Sequence, residues 1–242
     1  MVQLLGGPYA LGIYTAGAKP VENLRMIPMV LVLSIFPSVS QLVAEDAQAL
    51  RRVLVSVTRI VLLLMLPLVG ALVALSPVVV GLLYGSAYAN ASRVFSLSLL
   101  AVIPGTIHLI LITPLVANQE IRKLSLIYSA AIVGEIVIDW ALYSQVGLTA
   151  AVAGAIGAGL VVAILADSYA FPGAPILRDP QIAKVLSAGA ISLAIPFTGV
   201  FADHSWLLCA VTISTFMLIA RATRSFTFHE FRRMLLGPLP KL

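Results

Sequence analysis

Residues 51–94 read RRVLVSVTRIVLLLMLPLVGALVALSPVVVGLLYGSAYANASRV, and this stretch decides the class of the protein. From Val53 to Tyr84 it holds 32 residues and a single charge, Arg59. A membrane helix needs about 20 apolar residues at 1.5 Å per residue. The run is too long for one straight span. Pro67 and Pro77 divide it, because proline removes a backbone donor and bends or stops a helix. The pattern predicts a span over residues 52–75, then a short segment ending in the turn YGSAY.

The whole chain agrees with this stretch. Its 242 residues are 60% hydrophobic and only 10% charged. A soluble domain carries about 25% charged residues, so there is too little polar surface here to coat a globule. The chain therefore reads as an all-α integral membrane protein, with the lipid bilayer as its first partner. The net charge of +5 would point to nucleic acid in a soluble protein. Here the cations sit between apolar spans, so no nucleic-acid partner is expected. Cys209 is the one cysteine, which leaves no internal disulfide and no metal-ligand spacing. No cofactor is expected, and the absence of a nucleophile–base pair or a phosphate-cradling glycine loop argues against an enzyme.

Working outward, residues 1–21 are Gly-rich and semi-polar and read as an outer loop or short interfacial helix. Span one covers 22–43, with Glu22 and Arg25 spaced to pair at its mouth and Pro28 and Pro37 predicting kinks. Span three covers 94–117 and contains Pro104, Gly105, His108 and Pro114. Span four covers 124–143 and carries Glu135 and Asp139. Span five, 147–168, contains GLTAAVAGAIGAG, whose small residues let helix backbones approach closely inside a bundle. Spans six and seven cover 184–202 and 205–220. The tail from 221 to 242 is basic and amphipathic, and Arg221, Arg224, Arg232 and Arg233 with Phe226, Phe228 and Phe231 suit a helix lying on anionic lipid.

The basic residues test this topology. One side holds Arg51, Arg52, Arg122, Lys123, Arg178, Lys184, Arg221, Arg224, Arg232, Arg233 and Lys241, eleven of the 15. The other side holds Lys19, Arg25 and Arg93. The positive-inside rule then predicts a cytoplasmic C-terminus in a multi-pass protein of the cell (inner, cytoplasmic) membrane. Seven spans place the N-terminus outside, which predicts a further span upstream.

The order of motifs carries a resemblance. GGPYALGIYTAGAKPVENL, SIFPSVSQL, RRVLVSVTRIVLLLMLPL and VVVGLLYGSAYANAS follow one another as in the second half of polysaccharide flippases. These are the O-antigen and exopolysaccharide exporters of the multidrug/oligosaccharidyl-lipid/polysaccharide superfamily. EIVIDWALYSQVGLTAAVAGAIGAGL resembles the same family's late pattern, with Asp139 where an Asn is common. The resemblance covers most of residues 6–168. It implies helices eight to fourteen of a fourteen-helix transporter: residues 22–168 as a five-helix part of the second lobe, and 169–220 as two additional helices. It further implies a C-terminal half or fragment that works with an N-terminal half-transporter or a second copy of itself.

On that resemblance the substrate is a lipid-diphosphate-linked oligosaccharide, moved by alternating access. Arg59, about 12 Å inside its span at 1.5 Å per residue, is either a cavity cation for the diphosphate or a snorkelling side chain. Glu135 and Asp139, four apart on one face, are either a coupling or sugar-binding pair, or an interfacial Asp139 with Glu135 hydrogen-bonded in the bundle. His108 is expected to bond a carbonyl freed by proline, with titration as the rival role. Arg25 and Arg93 are expected near the outer ends, as phosphate contacts on release or as interfacial anchors. Two other functions fit the same pattern. One is a multidrug or lipid exporter of the superfamily. The other is a non-transporting scaffold in polysaccharide, including lipopolysaccharide, assembly.

Overall fold

The computed structural model describes residues 2–198 and 204–223, and in these all regular structure is helical. The elements are α1 (Val2–Leu24), α2 (Met26–Glu45), α3 (Ala47–Ala74), α4 (Ser76–Tyr84), α5 (Ala91–Leu100), α6 (Val102–Leu111), α7 (Thr113–Ala117), α8 (Ile121–Val146), α9 (Thr149–Ala170), α10 (Pro180–Ala194) and α11 (Ser205–Ala222). Among the described residues, seven helical runs are long and apolar enough to cross a bilayer. They are Gly6–Glu45, Ala47–Ala74, Ala91–Ala117, Ile121–Val146, Thr149–Ala170, Pro180–Phe197 and Ser205–Ala222. The basic amphipathic tail, apart from Arg221 and the two residues after it, lies outside the described residues.

Prolines set the joints between the shorter helices. The proline ring clashes with the carbonyl four residues back and supplies no N–H to it. Pro28 is three residues past Arg25, where α1 gives way to α2, and Pro104 is three past Ala101, where α5 gives way to α6. At both joints the backbone tightens: the Arg25 N–H donates to the Glu22 carbonyl at 3.2 Å and the Ala101 N–H to the Ser98 carbonyl at 3.1 Å. Pro77 and Pro114 stand in the first turns of α4 and α7, where a missing N–H costs nothing. Pro37 and Pro67 are carried inside α2 and α3.

The N-terminal segment corrects the sequence reading. Residues expected as a loop or short interfacial helix form α1, a helix kinked at Gly7, whose φ of 74° suits glycine. The segment is helical because it has a face to bury. Ile13, Ala16 and Val21 are buried, and a Cβ on Gly17 would stand 2.7 Å from Val94 Cβ. Gly17 therefore brings α1 onto the start of α5. The Gly6–Glu45 run has 40 residues, about 60 Å at 1.5 Å per residue, or twice the hydrocarbon thickness. Its joint at Arg25 falls near the middle.

The bundle is layered. α3 is the central helix, with Leu54, Leu62, Met65 and Val69 wholly buried. On one side it meets α10 and α11, and on the other α2, α5 and α6. α9 follows against α5 and α6, and α8 packs chiefly on α9. The Gly and Ala residues of α9 make this possible, as the sequence pattern predicts. Cβ atoms on Gly154, Gly157 and Gly159 would press on Asp139, Ile138 and Pro104.

The connection between α9 and α10 is a folded strap. Asp167, buried in α9, accepts the N–H groups of Ile176 and Leu177 at 2.7 and 2.8 Å. Arg51 of α3 donates to the Ala174 carbonyl at 2.9 Å and pairs with Asp179 at 3.2 Å. The basic end of α3 is thus tied to the start of α10. At that same end, Asp46 caps α3 by accepting the N–H groups of Gln48 and Ala49. The bond from Ala49 leads in holding its carboxyl below the usual carboxylate range.

Two outcomes test this packing. A Cβ on Gly189 would lie 2.5 Å from Leu66 Cδ2, so Gly189→Val overpacks the α3–α10 seam. It should cost about 1–3 kcal/mol in a detergent melt, whereas Gly81→Ala, with open space around it, should not destabilise. The cap of α3 depends on a carboxylate whose pKa is lowered by folding, so its stabilisation is present above the unfolded pKa and lost as pH falls through the folded one. Hydrogen exchange at the Gln48 and Ala49 amides should accelerate over that acid range. Unchanged protection there would remove Asp46 as the cap.

Candidate functional site: a cavity at the proline joints

The two tight joints, at Arg25 and Ala101, lead to one cavity of about 270 Å³. One wall is the α1–α2 joint, with Glu22, Arg25 and Met29, and the other is α6, with Gly105, Thr106 and His108. Gly105 is fourteen residues into the Ala91–Ala117 run, about 20 Å along a 27-residue helix path. Arg25, which opens α2, therefore stands beside the middle of the neighbouring Ala91–Ala117 run.

Nor does Arg25 pair with Glu22. Glu22 is taken by Lys19 at 2.7 Å, the other i,i+3 partner available to it. Among the described residues the Arg25 guanidinium makes no ion pair or hydrogen bond, and the side chain is exposed. Its charge nonetheless acts on three helices: on Tyr14 of α1, His108 of α6 and Glu135 of α8. Tyr14 also feels Glu135 and Asp139. Arg25, Tyr14, His108, Glu135 and Asp139 thus share one charged neighbourhood contributed by α1, α6 and α8. Gly6 brings the start of α1 against the Tyr143 hydroxyl of α8.

The acidic pair sits differently from either sequence reading. Asp139 is the buried member, 7% exposed, with its Oδ1 lacking a hydrogen-bond partner. Glu135 is half-buried and makes no hydrogen bond. Asp139 is the member enclosed by protein, and Glu135 is not the bonded residue of the pair. The cause is Gly154 of α9. Asp139 Oδ1 and Glu135 Cγ occupy the space a Cβ there would fill, the latter at 3.2 Å. Four-residue spacing puts both acids on one side of α8, and the glycine lets that side close.

His108 does not bond a freed carbonyl. Its ring meets Tyr128 of α8 edge-on, with centroids 6.4 Å apart and planes at 87°, and its Nδ1 is buried with no partner. Thr106, two residues earlier, is 1% exposed, and its Oγ1 is likewise unpartnered. Sequence reasoning missed Tyr14, Thr106, Tyr128 and Gly154. Only Thr106 carried a local signal, as a hydroxyl directly after Pro104–Gly105 in an apolar run.

Arg59 leaves the cluster. It donates to Gln181 Oε1 at 3.3 Å, in the first turn of α10. It sits beside the strap that ties the basic end of α3 to α10. Arg93 is exposed in the first turn of α5. Among the described residues no group of three or more His, Cys, Asp or Glu could hold a metal ion.

Comparison with known proteins gives one match. Residues 2–93 match the family model described as polysaccharide biosynthesis protein. No curated protein and no solved structure matches the chain. The matched stretch includes Tyr14, Glu22 and Arg25 and ends where α5 begins. The cavity therefore has one wall within the match and one beyond it.

The fit of Asp139 to Gly154 is open to a double-mutant cycle. Gly154→Ala alone should destabilise the bundle, because its methyl meets Oδ1. Asp139→Ala should relieve that clash, giving a coupling of about 0.5–3 kcal/mol. Additive effects would mean that the two residues are not in contact.

Proposed function

We propose that this chain takes part in moving a lipid-linked oligosaccharide across the membrane, supplying one wall of an alternating-access cavity. The observation that carries the reading is Arg25. It is an exposed guanidinium level with mid-span, without an ion pair among the described residues, inside the stretch that resembles a polysaccharide biosynthesis family. A cation at the centre of a membrane helix costs about 2.5–3.5 kcal/mol on insertion scales. Such residues belong to cavities, to partners or to ion and substrate pathways.

The cleft suits a polar head group. Arg25 supplies positive charge, and Glu135 with Tyr14 and Tyr128 supplies acceptors and ring faces for sugar hydroxyls. The opposing wall comes from a partner helical body, an N-terminal half-transporter or a second copy of this chain. Rocking of the two bodies exposes the cavity to either side. The basic ends of α3 and α8 and the basic tail face the cytoplasm of the cell membrane. No bond is made or broken in this step, so the function needs no catalytic residue and no cofactor.

A multidrug or lipid exporter is the second reading, favoured by the acidic side of the cleft, which suits a cationic substrate. A scaffold without transport is the third. They separate in vesicles. Protein reconstituted with its partner body should carry a lipid-diphosphate oligosaccharide to the leaflet where a membrane-impermeant glycosidase cuts it. Arg25→Gln should slow this at least about tenfold, the loss of about 1.4 kcal/mol of charge-assisted binding. Efflux of a cationic dye without sugar-lipid movement would replace the flippase reading with the exporter. Neither activity in a folded complex would leave the scaffold.

A further inference from the structure

No charged residue stands between Arg59 and Arg93, yet the last part of that stretch is not a span. From Arg52, at the basic end of α3, to Ala74 is about 34 Å at 1.5 Å per residue, and the hydrocarbon is about 30 Å thick. α3 has therefore crossed the bilayer before α4 begins at Ser76. The returning helix gives the same level independently. Arg93 is exposed in the first turn of α5, where a cation marks the interface. Ser96 is three residues further along α5, about 4.5 Å deeper. Ser96 and Ser76 share a buried hydrogen bond, Oγ to Oγ at 2.6 Å. The first residue of α4 is thus pinned one turn below the level of Arg93.

From there α4 keeps one side against the bundle. Val80 is wholly buried, and the helix packs on α5 and α1. Its other side is bare and apolar. Leu82 is 84% exposed, and Val78, Leu83 and Tyr84 are exposed with it. Gly85, at a φ of 76° that suits glycine, then turns the chain, and the Tyr88 ring comes back to Tyr84 with centroids 5.7 Å apart. Leu82 is six residues from Ser76, about 9 Å. An upright α4 would lift it about 4.5 Å beyond the level of Arg93, and an in-plane α4 would leave it about as far inside. The headgroup layer is about 5–8 Å thick, so at either tilt the bare side stays within the interface. The lipid that covers α3 continues across this boundary. Tyrosine suits that depth, because its ring is apolar and its hydroxyl is wet.

We propose that α4 and the turn after it form a membrane-interface anchor on the face opposite Arg51 and Arg52. Leu82 and Leu83 insert at the boundary between headgroups and acyl chains, and Tyr84 and Tyr88 lie among the headgroups. The partner is the lipid surface, without preference for headgroup charge, because the element carries no charge. The anchor fixes the depth of the Ser76–Ser96 joint, where α3 hands over to α5. It is independent of what the protein carries.

The test reads depth. The full chain is reconstituted in phosphatidylcholine vesicles with Leu82→Trp as its one tryptophan, after Trp140→Phe and Trp206→Phe at two exposed positions. The quenchers are lipid brominated near the top of the acyl chain, lipid brominated near its end, and aqueous acrylamide. Shallow bromines should quench about twofold more strongly than deep ones, because an interfacial apolar face sits about 5–10 Å into the headgroup–acyl boundary. Tyr84→Trp in the same background should show the same order, and it carries the test if a detergent melt shows that Leu82→Trp does not fold. Stronger quenching by the deep bromines would make α4 part of a span. Quenching by acrylamide alone would put it in water, and shielding from all the quenchers would put it against protein. Each of these three results overturns the proposal.

Discussion

A carbonyl that loses its helical N–H partner inside a membrane has no water to turn to, and this constraint shapes the structure. Pro28 and Pro104 each create such a break, at the joints marked by Arg25 and Ala101. The tightened backbone there is a local answer, and a change of helix direction comes with it. Because α1–α2 packs along α5–α7, the two breaks meet at one level, where the walls diverge and the cavity opens. The polar residues follow. Thr106, His108, Arg25 and Glu22 gather along that opening.

Close approach is the second constraint. Four seams rest on glycine: Gly17 on Val94, Gly154 on Asp139, Gly189 on Leu66 and Gly70 on Thr212. In lipid, helices gain little from burying apolar surface against one another, so association rests on dispersion and on the fit that small residues allow. The Gly154 seam differs from the others. It admits a carboxylate, so the same closeness that binds α8 to α9 also holds an ionisable group away from lipid.

Much of this was legible in the sequence. The apolar runs were read because hydropathy over about 20 residues is a one-dimensional property, and seven spans resulted. The tight packing of α9 was read because glycine and alanine state their role locally. Residues 1–21 were misread because Gly7, Gly12 and Gly17 look like loop composition, while their helix depends on α5, eighty residues away. Side-chain partners were hidden for the same reason. Arg59 stood out as the lone charge in the longest apolar stretch, yet the strap at residues 171–181 reaches back to hold it. Arg25 looked like the edge of a span because the break at Pro28 hid that the helix continues before it. Which i,i+3 partner Glu22 would choose, Lys19 or Arg25, no pattern in the chain could say.

Arg59 and Arg25 stand at different seams of the bundle. Arg59, held by Gln181 near the start of α10, lies in a seam that links the five-span body to the C-terminal pair of helices. A cation there secures the attachment of those helices. Arg25 stands instead at the joint between α1 and α2, so any ligand that draws it also acts on the angle between two helices with different anchors. α1 is fastened to α5 through Gly17, and α2 packs on α3, α6 and α7. A pull on the Arg25 side chain is therefore met by two different seams, one on each side of the joint.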